Sequence, residues 1–380
     1  MLIAVNTRLL LKDKLEGIGW FTYETLKRIT KGHPEHQFLF LFDRPFSEEF
    51  IFSDNVSPIV AGPQSRHPFL WYWWFEQSLP KVLHKQEPDL FLSPDGFLPL
   101  SFSSPAGIKQ CKFLPVIHDL NFEHYPKDIP FLARTYYTRY FPKYVKKANR
   151  IATVSEYSKQ DIAKCYKASA EKIDVVYDGA NEVFKPISEE EKKRVRWKYA
   201  NGEEYFIFVG ALSPRKNVAR LLEAFDEFKR SEPSKMKLVI VGEKMWKTRD
   251  IESVFEKMQF KQDVLFTGRL GTAELKDVMA AAFALAFVPY FEGFGIPILE
   301  AMYCDVPVIT SNVTSMPEVA GNAGLLVDPF SVDSIKEGMQ KMYKDESLRD
   351  QLIANGKKQR ENFSWDKTAE KLWKSIEKTQ

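Results

Sequence analysis

Cysteine is scarce in this 380-residue chain. The three present, Cys111, Cys165 and Cys304, are odd in number and have no metal-ligand spacing. They argue against a disulfide framework and for a reduced, cytosolic protein. Charge of one sign is lacking too. Lys and Arg number 54 against 51 Asp and Glu, a net +3, which does not indicate a nucleic-acid footprint. No apolar run approaches the roughly 20 residues that cross a bilayer. The opening MLIAVNTRLLLKDK lacks the basic start and long apolar core of a signal peptide. Any meeting with a membrane is therefore expected at its surface. There is no G-x-G-x-x-G, because EGIGWFT carries Thr22 where the last glycine would stand. There is no D-x-D either, Asp89, Asp95 and Asp119 being isolated, and no metal is called for.

What the chain does have is a steady rhythm of short apolar runs and helix-like segments. The length is comfortable for two domains. Runs at 2–6, 37–43, 89–94, 112–119, 150–155 and 173–179 read as strands in the first half. Runs at 205–210, 237–242, 264–270, 284–289, 307–312 and 324–329 do so in the second. They are almost continuously apolar, as in parallel sheets covered on both faces. The expected fold is α/β, with two Rossmann-like doubly wound domains facing a cleft. The polar stretch 185–204 is a natural junction, which gives domains at 1–184 and 185–362. The amphipathic segment 363–380 is expected to be a helix that packs back on the first domain.

The segment FVPYFEGFGIPILEAMYC places Glu292, Gly293, Phe294 and Gly295 in a loop after a strand. Open parallel sheets bind ligands at that end. Pro297 suits a first helical position, and Glu300 follows inside the helix. Glycines let the backbone approach a ligand, and a helix N-terminus favours an anion. A carboxylate repels phosphate but accepts hydrogen bonds from hydroxyls, so acids and glycines together suit a ligand bearing both groups. A nucleotide sugar is one. The alternative is that Glu300 complements the helix dipole and Glu292 is solvated. In FVGALSPRKNVARLLEAF, Arg215 and Lys216 stand just before a helix, where the dipole opposes cations. A diphosphate would explain them; so would a solvated charge pair. Gly17 and Gly19 open a helix after the first strand, as a turn would also require. His118 ends a strand, in a position open to a structural or a functional reading.

Taken together, these motifs resemble the retaining glycosyltransferases of the GT-B fold, family 4. EGFGIPILEAMYCDVPVITSNVTSMPEVAGNAGLLVDP (292–329) is similar to that family's donor-site signature, and GALSPRKNVARLLEAF to its basic donor loop. GIGWFTYETL, WFEQSLP, VIHDLNF, TVSEYSKQDI and FSWDKTAEKLW also fit, in order, over nearly the whole chain. The resemblance implies a nucleotide-diphosphate sugar as donor substrate, with no cofactor and no metal. By the same resemblance Glu300 binds the ribose hydroxyls and Glu292 orients the transferred hexose, mannose- or glucose-type. Gly293, Phe294 and Gly295 offer amides, and Arg215 and Lys216 neutralise the departing diphosphate. Gly17 and Gly19 border the phosphates, and His118 approaches the sugar or acceptor. Two positions depart from the family pattern. Ala211 stands where many members have Arg, and Asp305 where Gly is usual; Asp tolerates a left-handed backbone better than most residues.

The implied acceptor is a hydroxyl of a glycan or polyprenyl-linked glycan, as in lipopolysaccharide or capsule synthesis. RTYYTRYFPKYVKKANR (134–150) interleaves five aromatic with six basic residues, and HPFLWYWWFEQSLP (67–80) adds an aromatic cluster. Both suit peripheral contact with an anionic membrane at the inner face of the cell membrane. Both equally suit a core-facing stripe with a solvated basic back. A GT-B epimerase, a phosphorylase and a non-catalytic nucleotide-sugar binder are the competing readings, since fold alone does not choose among them.

Overall fold

The computed structural model describes residues 1–104, 110–243 and 248–380. The chain divides into two compact units. Unit 1 is Met1–Asp178 with Trp365–Gln380, and unit 2 is Gly179–Ser364. The divisions fall at 178/179 and 364/365, where the sequence pointed to 184/185 and 362/363.

Unit 1 runs β1 (Leu2–Asn6), α1 (Gly17–Gly32), β2 (Gln37–Phe42), β3 (Val56–Val60), α2 (Pro68–Trp73), α3 (Leu79–Gln86), β4 (Leu90–Ser93) and β5 (Lys112–Pro115). It continues through α4 (Asn121–His124), α5 (Phe131–Lys147), β6 (Ile151–Thr153), α6 (Glu156–Tyr166) and β7 (Ile173–Val175). The main sheet has the order β3-β2-β1-β4-β5 and is parallel throughout. The short pair β6–β7 continues it through a bridge from Val116 to Ala152. Ile3, Ala4, Val5, Phe38, Phe40, Phe91 and Leu92 are buried, so successive residues are covered on both faces and each strand reads as an unbroken apolar run. β3 is different. Its sequence VSPIV interrupts the apolar run with Ser57 and Pro58, three of its five residues are exposed, and Pro58 is tolerated because the strand is an edge. That mixture is why the apolar-run reading passed over it.

Unit 2 runs α7 (Glu189–Ala200), β8 (Tyr205–Val209), α8 (Val218–Ser231), β9 (Lys237–Val241), α9 (Arg249–Lys257), β10 (Val264–Gly268) and α10 (Thr272–Ala280). Then follow β11 (Ala284–Phe287), α11 (Ile296–Tyr303), β12 (Val308–Ser311), α12 (Met316–Ala320), β13 (Gly324–Val327), α13 (Val332–Lys344) and α14 (Glu346–Gln359). The sheet order is β10-β9-β8-β11-β12-β13, again parallel. The polar stretch read as a junction is mostly the helix α7. Ser188 and Glu191 cap it reciprocally, each side chain bonding the other residue's backbone N–H. Val195 and Ala200 are its buried residues.

The chain then returns to unit 1 as α15 (Trp365–Lys378). Trp365, Thr368, Ala369, Leu372, Trp373 and Ile376 form its buried stripe at helical spacing. Trp365 meets Phe21 of α1 edge-on, and Trp373 stacks on His33 with ring centroids 3.6 Å apart. Thr368 Oγ1 donates to the Tyr177 carbonyl at 2.7 Å, and Arg28 Nε bonds Asp366. Among the described residues no helix is long and apolar enough to cross a membrane.

Trp373→Ala should remove a ring packed on both His33 and His36. A loss of about 3–5 kcal/mol is expected, read as a lower urea midpoint. An unchanged midpoint would mean that α15 contributes nothing to unit 1.

Candidate active site

In unit 2 the strand order reverses between β8 and β11. Connections leave those neighbours on opposite sides of the sheet, which opens a crevice at their carboxyl ends. The loops there are 210–217 after β8 and 288–295 after β11, and they carry the residues singled out in the sequence.

The first loop is held open by backbone geometry. Gly210 has φ +153°, and Gly242, after β9, has φ +156°. A Cβ at Gly242 would overlap the Gly210 carbonyl, so no side chain fits where the two strand ends converge. Arg215 and Lys216 occupy a single 3-10 turn, Pro214–Lys216, and Asn217 then takes a left-handed conformation at φ 63° before α8 begins. Asn217 Nδ2 donates to the carbonyls of Val288 at 3.0 Å and Pro329 at 2.7 Å. One buried amide thus fastens the basic turn to the ends of β11 and β13. Asn217 was not anticipated from the sequence, although an Asn directly before an amphipathic helix is a recognisable signal.

Glu292 is where the two loops meet. Arg215 Nη1 lies 2.7 Å from Glu292 Oε2, and Lys216 Nζ bonds the same oxygen. Arg215 also donates to the Phe291 carbonyl at 3.2 Å and accepts, through its own carbonyl, from Tyr290 N at 3.0 Å. Lys216 Nζ stands 4.8 Å above the Phe287 ring. Burial would push the Glu292 carboxyl up, but the two cations outweigh it and hold it below the usual carboxylate range. The sequence suggested cations for one part of a ligand and an acid for another; the structure joins all three in one cluster.

Gly295 caps α11 with φ 101°. The helix starts at Ile296, so Pro297 is its second residue rather than its first. Phe294 turns its side chain inward onto Phe363, leaving its backbone as the part that faces the loop. Ser315 Oγ donates to the carbonyls of Glu292 at 2.9 Å and Phe294 at 3.3 Å and so shapes the glycine loop from behind. Glu300 lies one turn into α11, and among the described residues no hydrogen bond or ion pair meets its carboxyl. Burial raises its pKa to about 8. At the end of the helix Asp305 adopts a left-handed conformation, φ 56°, and pairs with Lys357 and Arg360. An Asp is therefore accommodated where glycine would be the easy choice.

In unit 1, Gly17 and Gly19 form the first turn of α1. A Cβ at Gly19 would crowd the Leu9 carbonyl and Leu15, while one at Gly17 would meet open space. His118 follows β5. Its Nε2 donates to the Pro94 carbonyl at 2.8 Å and its ring meets Phe21 edge-on at 5.1 Å. Burial lowers its pKa and so favours the neutral imidazole, in which Nε2 is the donor and Nδ1 the acceptor. A network missed in the sequence sits at the carboxyl ends of β1 and β4, where this sheet also reverses order. Arg8 Nε bonds Asp95 Oδ2 at 2.5 Å, and Asn6 Nδ2 donates to Asp95 Oδ1 at 2.7 Å. The Arg8 guanidinium lies 4.6 Å over Phe97.

The two aromatic-rich segments divide between core and solvent. Trp74, Phe75, Tyr136, Phe141 and Tyr144 are buried. Phe69, Leu70, Tyr72 and Trp73 of α2 are exposed, as are Phe131 and Leu132 of α5, with Phe69 at 71% and Phe131 at 67%. Arg139, Lys143 and Lys146 are exposed on the segment 134–150, and Arg66 is exposed just before the segment 67–80.

Solved structures of the same fold match the chain over its whole length. HepE of Anabaena, solved with UDP and glucose, matches with a TM-score of 0.77 at 17% identity, covering 100% of both chains. WaaG, a glycosyltransferase involved in lipopolysaccharide biosynthesis, matches with a TM-score of 0.73 at 19% identity, over 97% of this chain and 98% of its own. The two Rossmann-like units are those of the GT-B fold. Residues 189–359 match the glycosyl transferases group 1 and residues 16–183 match Glycosyltransferase Family 4. The chain belongs to glycosyltransferase family 4, and it is a glycosyltransferase. O-antigen chain mannosyltransferase B of Escherichia coli is 27% identical over 94% of both chains. O-antigen chain mannosyltransferase RfbU of Salmonella typhimurium is 32% identical over 56% of each.

The raised Glu300 carboxyl makes a pH prediction. A carboxyl with a folded pKa near 8 binds its proton more tightly in the native state. Its contribution is fully present below the unfolded value of about 4.5 and is lost as pH rises to about 8, by a few kcal/mol at most. Glu300→Gln should therefore show a smaller fall in thermal midpoint from pH 5 to pH 8 than the parent protein. Parallel profiles would contradict the shift.

Proposed function

We propose that the protein transfers a hexosyl unit, mannosyl by its relatives, from a nucleotide-diphosphate sugar to a hydroxyl of a lipid-linked glycan, with retention of anomeric configuration and without a metal. The observation that carries this reading is the cluster of Arg215, Lys216 and Glu292 at the reversal of the unit 2 sheet. It is followed on α11 by Glu300, whose carboxyl meets no hydrogen bond or ion pair among the described residues. Two preplaced cations are suited to the charge that grows on a departing diphosphate. The amides of 293–295 and the start of α11 add positive partial charge. Glu300 is suited to accepting hydrogen bonds from a ribose, and Glu292 to orienting the sugar while it holds both cations in place. With no carboxylate assigned as a covalent nucleophile, the leaving phosphate takes the acceptor proton on the face it departs from. The roles of Gly17, Gly19 and His118 rest on the family resemblance alone. The two mannosyltransferase relatives favour mannose and an O-antigen-type acceptor. The exposed aromatics of α2 and α5, with Arg66 exposed just before α2 and Arg139, Lys143 and Lys146 exposed along α5, favour peripheral contact with an anionic bilayer at the inner face of the cell membrane.

A thermal-shift panel of GDP-mannose, UDP-glucose and UDP-N-acetylglucosamine should show its largest rise with GDP-mannose; a larger rise with either UDP sugar would overturn the mannosyl assignment. The anomeric configuration of the product, read by NMR, decides retention. Lys216→Ala should lower kcat about 10²–10³-fold while Arg215 still holds Glu292 and the fold. Near-normal turnover in the folded variant would remove Lys216 from the chemistry. Phe69→Ser with Trp73→Ser should weaken flotation with phosphatidylglycerol vesicles and leave the melting temperature unchanged, since both rings are exposed. No flotation of the parent protein would favour a soluble acceptor.

A further inference from the structure

Three side chains of unit 1 that this reading does not use come together where α4 meets α6. His124 Nε2 lies 2.8 and 2.9 Å from the two carboxylate oxygens of Asp161. Cys165 Sγ lies 3.4 Å from Asp161 Oδ1. One ligand-type atom from each residue falls within 4.8 Å of the other two. Asp161 and Cys165 are one turn apart on the same face of α6, and His124 is the last residue of α4. The Asp161 side chain is only 8% exposed, whereas His124 and Cys165 reach solvent. The arrangement has a buried anionic base and an accessible mouth.

We propose that His124, Asp161 and Cys165 form a zinc site, with water in the fourth position. The donor set selects the metal class. An imidazole nitrogen, a thiolate and a carboxylate suit a borderline-soft divalent cation, whereas magnesium and calcium take oxygen ligands. Bond lengths of about 2.0–2.3 Å put tetrahedral ligand atoms roughly 3.3–3.8 Å apart. The present spacings reach that range with small side-chain adjustments. On binding, the thiol proton leaves to solvent, and the imidazole proton moves from Nε2 to Nδ1 so that the Nε2 lone pair meets the metal. One carboxylate and one thiolate then balance the two positive charges, and no net charge is left beside the unit 1 core. The ion acts as a brace. Ser158, on the preceding turn of α6, already donates to the His118 carbonyl at 3.0 Å. A metal shared by α4 and α6 would pin the segment 118–124 to the helix at both ends. No step of glycosyl transfer passes through it.

The test uses the full chain freed of metal by a chelator and titrated with cobalt(II), whose thiolate complexes absorb in the near ultraviolet. The expected result is a sulfur-to-cobalt charge-transfer band saturating at one equivalent, displaced by zinc. Zinc should also raise the melting temperature. Cys165→Ser should abolish the band, and His124→Gln should weaken binding tenfold or more, by analogy with changes around metal ligands. Both residues reach solvent, and circular dichroism verifies the fold. Absence of the band in the parent protein overturns the proposal. So does a band that survives Cys165→Ser, because Cys111 or Cys304 would then be the ligand. So does a zinc-induced thermal shift of equal size in both variants. Failure here leaves the donor panel untouched, and failure of the panel leaves the cobalt spectrum untouched.

Discussion

One carboxylate oxygen holds the unit 2 site together. Glu292 Oε2 receives both Arg215 and Lys216, from a loop more than seventy residues earlier in the chain. Two cations on adjacent residues would repel each other in a partly buried pocket. The acid between them lets both stay charged and close. Everything around the trio serves its placement. Asn217 ties the basic turn to β11 and β13, Gly210 and Gly242 let two strand ends converge, and Ser315 braces the acidic loop from behind. The sheet reversal between β8 and β11 is what makes these loops neighbours.

The same reversal occurs in unit 1 between β1 and β4, and there too an ion pair fills the strand ends. Arg8 and Asp95 are both buried, and Arg8 is further enclosed by Phe75 and Phe97. Burial alone would strip charge from the guanidinium, but Asp95 more than offsets it. A buried pair of this kind is poor evidence of net stabilisation, since desolvation opposes it. Its directional bonds to Asn6 and Asp95 do fix the strand ends beside the loop that carries His118, whose Nε2 is anchored at Pro94.

The strands were legible because parallel sheets buried on both faces spell themselves as apolar runs. β3 escaped because Ser57 and Pro58 belong to an exposed edge. The site was legible as parts. Glycines, acids and cations stood in loops after strands, and the resemblance to family 4 supplied their grouping. Their assembly was not legible, because which oxygen meets which nitrogen is decided by two loops far apart in sequence. Arg8 gave no signal either, as a lone arginine after a strand is ordinary until its partner is seen. The polar run 185–204 lies just past the division at 178/179, and most of it is helix. A solvated helix such as α7, with few buried residues, has the composition of a linker. The aromatic segments suit core and surface alike, and they serve both: α5 buries Tyr136, Phe141 and Tyr144 and exposes Phe131, while α2 has no buried residue and the buried rings of its segment, Trp74 and Phe75, follow its end.

The return of α15 to unit 1 has a temporal consequence. Synthesis delivers residues 1–178 first, yet Phe21 and His33 find Trp365 and Trp373 only after all of unit 2 has been made. Unit 2 is contiguous and can close as it emerges from the ribosome. Unit 1 is thus begun before unit 2 and completed after it, and until α15 arrives the flank of α1 that it covers stays bare.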